Sequence, residues 1–542
     1  RIIDVGIPAN DIWYIARIGV LMVVLGVIAI GLGVTNMRFS AYGSQGFASN
    51  VRQALFDKVL SFSFANIDAF HSASLVTRLT SDVTQLQITL MMSLRMLLRA
   101  PLMLFFSIVI VLSINARLSI IMFVAMPLLA ISLLLIMRSA ERLFAAMQRR
   151  LDDLNGAVQE NLIAIRVVKA FVREAHEKSK FKIANDAYME AAQRAGFLTS
   201  LLFPVMILIL NAATIAVIWF GGKMVPTGEM GTGELISFLS YLMMILISAM
   251  MFSMAFILFA RAKACAQRVL EVMDTQATVV DREALAEPEA EPQVTKGKIE
   301  FRDVDFRYAT GEGRNVLSDI SFSVEPGEVV AIVGGTGSGK SSLLSLIPRL
   351  YDCTGGQVFI DGVDVRDYRL ETLRAGIGMV LQQNVLFSGT VRENLLWGNS
   401  DASPEEMEYC ARAAQAHDFV AATPDGYGTE LGQGGVNLSG GQRQRLCIAR
   451  AMLKRPRILI LDDSTNAVDT ATEAKIRRAF QSEFKDTTVL LVSQRISSVK
   501  DADRIVVLHD GRVSGMGTHE TLSSGNSIYR EICLSQQERL AA

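Results

Sequence analysis

Hydrophobic positions follow two regimes along the chain. In the first half they form long, nearly unbroken runs, near Ile12 to Thr35, Leu90 to Ser113, Leu118 to Ile136, Leu198 to Phe220 and Leu235 to Phe259. Each approaches the ~20 apolar residues that a helix needs to cross a hydrocarbon core of about 30 Å. In the second half they form short strand-like runs, beginning with alternating segments at Ile299 to Arg307 and Ile320 to Val324. Between the two, the run VVDREALAEPEAEPQVTKGK is acidic, proline-containing and aperiodic. It reads as a flexible tether. The pattern therefore predicts an all-α membrane domain over residues 1–274, a linker over 275–298 and an α/β domain over 299–542.

Charge sets the orientation. Basic residues concentrate in the long connections, with Arg52, Lys58 and Arg78 in one, and Arg138, Arg142, Arg149, Arg150, Arg166, Lys169 and Arg173 in another. The connections around Asn115 to Arg117 and Gly221 to Gly233 are short and carry little charge. By the positive-inside rule the long connections are cytosolic and Arg1 to Asn10 lie outside. Five spans with the second half inside are completed most simply by a further helix before Arg1. From Arg138 to Ala170 the apolar spacing stays helical, so Leu118 to Ala170 as one helix is expected to reach roughly 80 Å at ~1.5 Å per residue. Polar turns near Asn66 to Ser74 and Arg173 to Lys180 are then expected to dock on the second domain.

Composition narrows the class. The chain is 51% hydrophobic and 20% charged, too apolar for an ordinary soluble protein, and a net charge of −1 gives no support to nucleic-acid binding. Cys265, Cys353, Cys410, Cys447 and Cys533 show no paired spacing, which argues against a disulfide framework or a zinc site. Asn211 and the run Met243, Met244, Met250, Met251 and Met254 suit either a cavity wall for apolar cargo or plain helix packing. No acidic residue falls in mid-span, which disfavours a proton-coupled carrier.

Candidate chemistry is confined to the second half. Gly334-Gly335-Thr336-Gly337-Ser338-Gly339-Lys340-Ser341 follows the apolar strand Val329 to Val333 and precedes the helical run Ser342 to Leu350. That is a phosphate loop in its required strand–loop–helix setting, with Lys340 expected on the β- and γ-phosphates and Ser341 on Mg²⁺. A second apolar strand, Ile458 to Leu461, ends in Asp462 and Asp463, where a parallel sheet holds Mg²⁺ at its carboxyl edge. Ahead of it, Leu438-Ser439-Gly440-Gly441-Gln442 opens a helix whose N-terminus offers N–H groups to a phosphate.

Together these segments resemble the ATP-binding-cassette exporter superfamily along the whole chain. The resemblance implies a six-helix membrane domain, its first helix apparently absent here, fused to a cytosolic P-loop cassette that uses ATP and Mg²⁺. It implies ATP contacts from Gly334, Thr336, Gly337, Ser338, Gly339, Lys340, Ser341 and Ser342, adenine stacking by Tyr308, and Mg²⁺ contacts from Ser341, Gln382 and Asp462. Leu438 to Gln442 would be the signature that acts on a partner's ATP, with Asn466 and Asp469 in the D-loop. Cassettes of this family pair head to tail, so two half-transporters are implied.

Two positions depart from the family. Asp463 stands where a Glu polarises the attacking water, and Gln494 stands where a His contacts the γ-phosphate. Asp is one methylene shorter, and a misplacement of about 1 Å costs on the order of 10²-fold. Gln carries neither the proton nor the charge available to His. Gln433 also replaces a Glu just upstream of the signature, with no evident physical reason. The pattern resembles the degenerate-site subunit of bacterial heterodimeric multidrug exporters. The expectation is an inner-membrane ATPase and exporter of amphipathic small molecules or lipids, paired with a different chain and with its own site impaired. Two other readings stay open, a homodimeric exporter of lipid or peptide and an ATP-gated channel or regulatory subunit.

Overall fold

The computed structural model describes residues 1–97, 99–282, 291–309, 313–463, 468–493 and 495–541. Its backbone contacts divide the chain into two compact units. One comprises 1–56 and 77–273; the other comprises 57–76 and 274–542.

The first unit is helical. Its chain runs from α1 (Ile12–Leu60) through α2 (Phe64–Phe70) and α3 (Ser72–Thr77), of which residues 57–76 belong to the second unit. It continues with α4 (Val83–Met96), α5 (Arg99–Ile114), α6 (Ser119–Ile163), α7 (Ile165–Ala170), α8 (Glu174–Ser200), α9 (Leu202–Met224) and α10 (Thr232–Asp274). Among the described residues, four helical stretches are long and apolar enough to cross a membrane: Ile12–Leu60, Ser72–Ile114, Ser119–Ile163 and Glu174–Met224. A shorter apolar segment, Thr232–Ile245, opens α10. Helices suit this role because every backbone polar group is satisfied within the segment.

The seam between helices is formed by Val111 on α5, Met122 and Leu129 on α6, Ile209 and Val217 on α9, and Phe238, Leu242 and Ile245 on α10. The most apolar window of α1 has none of its residues buried, so its Val20 to Leu25 face is free to meet lipid. Asp4 accepts from the amide of Gly233 at 2.6 Å, which joins the N-terminal turn to the start of α10. At the other end of α10, Arg268 makes a two-pronged contact with the buried Asp82 at 2.5 and 2.8 Å. Arg78 donates to the Arg268 carbonyl and pairs with Glu271.

One expectation is corrected. The run from Leu118 to Ala170 is not a single helix, because Ala164 adopts φ −90° and ψ 11° and separates α6 from α7. At 45 residues, α6 still spans about 68 Å at ~1.5 Å per residue, well beyond a bilayer's hydrocarbon.

The second unit carries two main sheets. An antiparallel sheet has the order β2-β1-β4-β5, from β1 (Ile299–Phe306), β2 (Leu317–Val324), β4 (Gly355–Ile360) and β5 (Val363–Asp364). The larger sheet has the order β12-β11-β3-β10-β9-β6, from β3 (Val329–Gly334), β6 (Ile377–Val380), β9 (Ile458–Asp462), β10 (Thr488–Val492), β11 (Arg504–His509) and β12 (Arg512–Gly517). All its neighbours are parallel except β12 at the edge. β9 and β10 are buried at every residue, as a parallel sheet covered on both faces requires.

Helices α11 (Lys340–Leu346), α12 (Leu370–Ala375), α13 (Val391–Leu396), α14 (Pro404–Ala413), α15 (His417–Ala421), α16 (Gly440–Leu453), α17 (Thr470–Glu483), α18 (Ile496–Val499), α19 (His519–Gly525) and α20 (Ser527–Ala541) also belong to this unit. A short pair, β7 (Gly389–Thr390) and β8 (Glu430–Leu431), ties the α13 end to the segment before α16. α11 stops earlier than the apolar pattern suggested, because Pro348 disfavours helix before it and Arg349 turns left-handed at φ 51°.

The residues of the 57–76 tip pack within this second unit. Asn66 accepts from the Thr278 amide at 3.2 Å and donates to the Gln276 carbonyl at 3.0 Å, and Ser63 bonds Thr278 through their hydroxyls. The other expected turn, Arg173 to Lys180, is instead the start of α8 in the first unit, with Arg173 at the N-cap and Glu174 to Lys180 already helical.

Candidate nucleotide site

The carboxyl ends of β3, β10 and β9 meet at one edge, and the chemistry gathers there. Register places Ile332 beside Val492 and Val492 beside Asp462. The phosphate loop leaves β3 at Gly334, where a Cβ would lie 2.3 Å from the Leu508 carbonyl oxygen. Gly337 and Gly339 adopt φ of +81° and +94°, and a Cβ on Gly339 would meet Leu317 at 2.6 Å. Glycine is therefore required at these positions for a loop that curls on its own amides, a concavity suited to anions.

Lys340, at the start of α11, donates to the carbonyls of Gly334 at 2.9 Å and Gly335 at 2.7 Å. Its hydroxyl neighbour Ser341 donates to Asp462 Oδ1 at 3.1 Å. Thr336 lies exposed on the loop, whereas Ser338 and Ser342 are buried beneath it.

Asp462 closes β9 and Asp463 follows it at φ 49°, a left-handed conformation that Asp tolerates better than most residues. The Asp463 amide donates to the Val492 carbonyl at 3.1 Å, which fixes its place beyond β9. Both carboxylates are almost fully buried. Burial pushes the Asp462 carboxyl above its ordinary value; the Ser341 hydrogen bond and Lys340 oppose that shift, and Asp463 adds to it. Burial likewise lowers the Lys340 ammonium, against the pull of Asp463 and Asp462. A hydroxyl and two buried carboxylates beside one ammonium form a hard-oxygen donor set with excess negative charge. That chemistry fits a divalent cation such as Mg²⁺, which Ser341 and Asp462 are placed to hold.

The structure brings together Gly334, Thr336, Gly337, Ser338, Gly339, Lys340, Ser341, Ser342, Asp462 and Asp463. Tyr308 joins them through its hydroxyl, 2.8 Å from Ser342 Oγ, with its ring edge-on to Phe306 and to Tyr351. Gln382 lies exposed two residues beyond β6, the strand beside β9. Leu438 to Gln442, the expected signature, lie at the start of α16. Ser439 caps α16 and Gln442 reaches back to the Ser439 amide at 2.9 Å, leaving Gly440 accessible and Leu438 against the core of that region. Asp469 caps α17 by accepting from Thr472 at 2.9 Å. Gln433 is exposed in a short turn before α16. Asn466 and Gln494 lie outside the described residues. In the first unit, Asn211, Met243 and Met244 are exposed.

Sequence reasoning did not single out Tyr351 or Asp68, which hydrogen-bond each other at 2.6 Å across 283 positions. Only a tertiary contact reveals them.

A model of the ABC transporter transmembrane region matches residues 1–250, and one of the ABC transporter cassette matches residues 317–466. An uncharacterized ABC transporter ATP-binding protein of Bacillus subtilis (strain 168), YfiB, is 40% identical over 536 residues, covering 99% of this chain and 92% of the relative. This chain belongs to the ABC transporter family. An ATP-dependent lipid A-core flippase of Syntrophus aciditrophicus (strain SB) is 34% identical over 488 residues, 90% of this chain and 80% of the flippase. The structure of a bacterial Atm1-family ABC exporter with ATP bound superposes with a TM-score of 0.79 at 28% identity, covering 97% of this chain and 91% of that one. The architecture is therefore that of an ABC exporter half-transporter, a helical membrane domain followed by an ATP-binding cassette. Such exporters work as dimers in a lipid bilayer.

Proposed function

We propose that this ABC transporter is one half of a heterodimeric exporter in a bacterial inner membrane, with its cassette in the cytosol and with a slow ATP site of its own. The observation that supports the slow site is the residue after β9. Asp463 is a carboxylate in the position of a general base, but its side chain is one methylene short. Set back by roughly 1 Å, it aligns the attacking water poorly, which costs on the order of 10²-fold. Gln494 adds to the deficit because it donates a hydrogen bond without carrying charge.

The binding residues are complete. The amides of 334–339 would hold the phosphates, Lys340, now on the Gly334 and Gly335 carbonyls, would supply a positive charge to them, and Ser341 and Asp462 would hold the cation. Mg²⁺, when bound, offsets the phosphate charge. Ser439 to Gln442 present a capped helix N-terminus to the phosphates held by the partner chain. In this scheme ATP at the slow site stabilises the closed pair of cassettes, and turnover at the partner's site resets it. The name of the lipid A-core flippase relative supports an amphipathic, lipid-like cargo for this chain.

The test is ATP turnover in lipid nanodiscs, for this chain alone and with its candidate partner. The chain alone is expected to bind ATP and hydrolyse it slowly, while the pair turns over at about 1–10 per second. Asp463→Glu in the pair is expected to change that rate without being needed for it. A homodimer of this chain that hydrolyses at the full rate would sink the heterodimer and the slow site together.

A further inference from the structure

The aromatic cluster beside the phosphate loop is tied to the 57–76 tip. Tyr351, in the turn between α11 and β4, places its ring 5.3 Å from that of Tyr308 at 89° and 5.6 Å from that of Phe306. Its hydroxyl donates to Asp68 Oδ2 on α2 at 2.6 Å, and Phe64 of the same helix lies 6.2 Å from its ring. Burial first, and then Asp68, push the Tyr351 phenol well above its ordinary value, so Tyr351 keeps its proton and remains the donor.

The turn that carries Tyr351 is itself fixed. Arg349 is almost fully buried, grips Asp352 at 2.8 Å and donates to the Val280 carbonyl, while Arg374 holds the carbonyls of Pro348 and Arg349. On the far side, Tyr308 is pinned by its bond to Ser342, the residue after the Mg²⁺-holding Ser341. A continuous chain of contacts thus runs from Asp68 through Tyr351 and Tyr308 to the first turn of α11.

We propose that Tyr351 and Asp68 are positioning residues for the nucleotide base: the Asp68–Tyr351 hydrogen bond sets the Tyr351 ring, and that ring sets Tyr308. Base binding at Tyr308 and docking of α2 then reinforce each other, because both draw on one aromatic orientation. The proposal rests on the reading of Tyr308 as the residue that stacks on the base. It goes further by assigning to α2 a sensor for the base, as distinct from the phosphates. Inorganic tripolyphosphate, which fills the phosphate loop but has no base, leaves this relay unengaged.

The experiment uses the full chain in nanodiscs and measures Mg²⁺-dependent binding of ATP and of inorganic tripolyphosphate by calorimetry. Tyr351→Phe keeps the ring and removes the hydroxyl; Asp68→Ala removes the acceptor. Each is expected to weaken ATP by about 3- to 10-fold, the range that one hydrogen bond supports, and to leave tripolyphosphate unchanged. Tyr308→Ala is expected to weaken ATP more, and the Tyr308→Ala/Tyr351→Phe pair to fall short of the product of the single effects. Hydrogen exchange over 64–70 is expected to slow with ATP and not with tripolyphosphate. If Tyr308→Ala weakens ATP while Tyr351→Phe and Asp68→Ala do not, the relay is overturned and the base site stands. If Tyr308→Ala leaves ATP unchanged, the base-stacking reading fails and the relay goes with it. Equal loss of ATP and tripolyphosphate in the Tyr351 and Asp68 variants marks a general structural defect and overturns the relay as well.

Discussion

The two units solve opposite problems. Around the nucleotide site the backbone is over-determined. Gly334 has no room for a methyl group, Asp463 adopts a left-handed conformation while its backbone N–H donates a hydrogen bond to the Val492 carbonyl of β10, and β9 is buried throughout. On α1 no residue of the most apolar window is buried, and residue after residue is exposed. In the first case a particular atom is needed at a particular place. In the second the requirement is only to be as apolar as a lipid tail, which many side chains meet. Residue identity carries chemical information in the cassette and mostly solubility information in the membrane unit.

The sharpest break is expected at Gly334. Gly334→Ala puts a Cβ 2.3 Å from a backbone carbonyl in the neighbouring strand, and is expected to cost about 1–3 kcal/mol of cassette stability along with ATP binding. Gly335→Ala, one residue on, meets nothing within 4 Å and is expected to be near silent in the same thermal unfolding scan. Equal effects from the two would dissolve the contrast within the loop itself.

A smaller effect, and one that changes sign with conditions, is expected for Asp462→Asn. Burial raises the folded-state pKa of Asp462, so the folded chain binds more protons than the unfolded one and stability falls as pH climbs from the ordinary carboxylate value through the raised one. In chelator near neutral pH, Asp462→Asn is therefore expected to raise the unfolding temperature. With Mg²⁺ and ATP the wild type is expected to gain and the variant to gain little. Stabilisation of the variant by Mg²⁺ equal to that of the wild type would remove Asp462 from the cation site.

The smallest effect is expected on the lipid face. Val24→Leu on α1 is expected to change stability in nanodiscs by less than about 0.5 kcal/mol, as substitutions away from packed features do. A loss of several degrees would reveal a packed partner for that face.

Legibility in the sequence follows the same division. The glycine loop after β3, the acidic end of β9 and the capped start of α16 were readable because each needs fixed residue types at fixed spacing along one short segment. The docking of the Asn66 turn was readable only as an expectation, since its partners Gln276, Thr278 and Tyr351 sit more than two hundred positions away. The break at Ala164 left no mark, because alanine is the best of helix formers. The extension of α1 to Leu60, far beyond the apolar run ending near Thr35, was hidden because polar helix looks like any solvated segment.

The division of the chain into units also sets a clock on its biosynthesis. The 57–76 tip belongs with residues 274–542, and Asp68 meets Tyr351 only across 283 positions. At ~5–20 residues per second, a ribosome adds that length in roughly 15 to 60 s. Through that interval Phe64 lacks the Tyr351 ring and Asp68 lacks the Tyr351 hydroxyl, and the tip is a ready target for chaperones and proteases. Closure of α2 on the cassette is thus among the last steps of assembly, and it marks a chain whose far end has been made and folded.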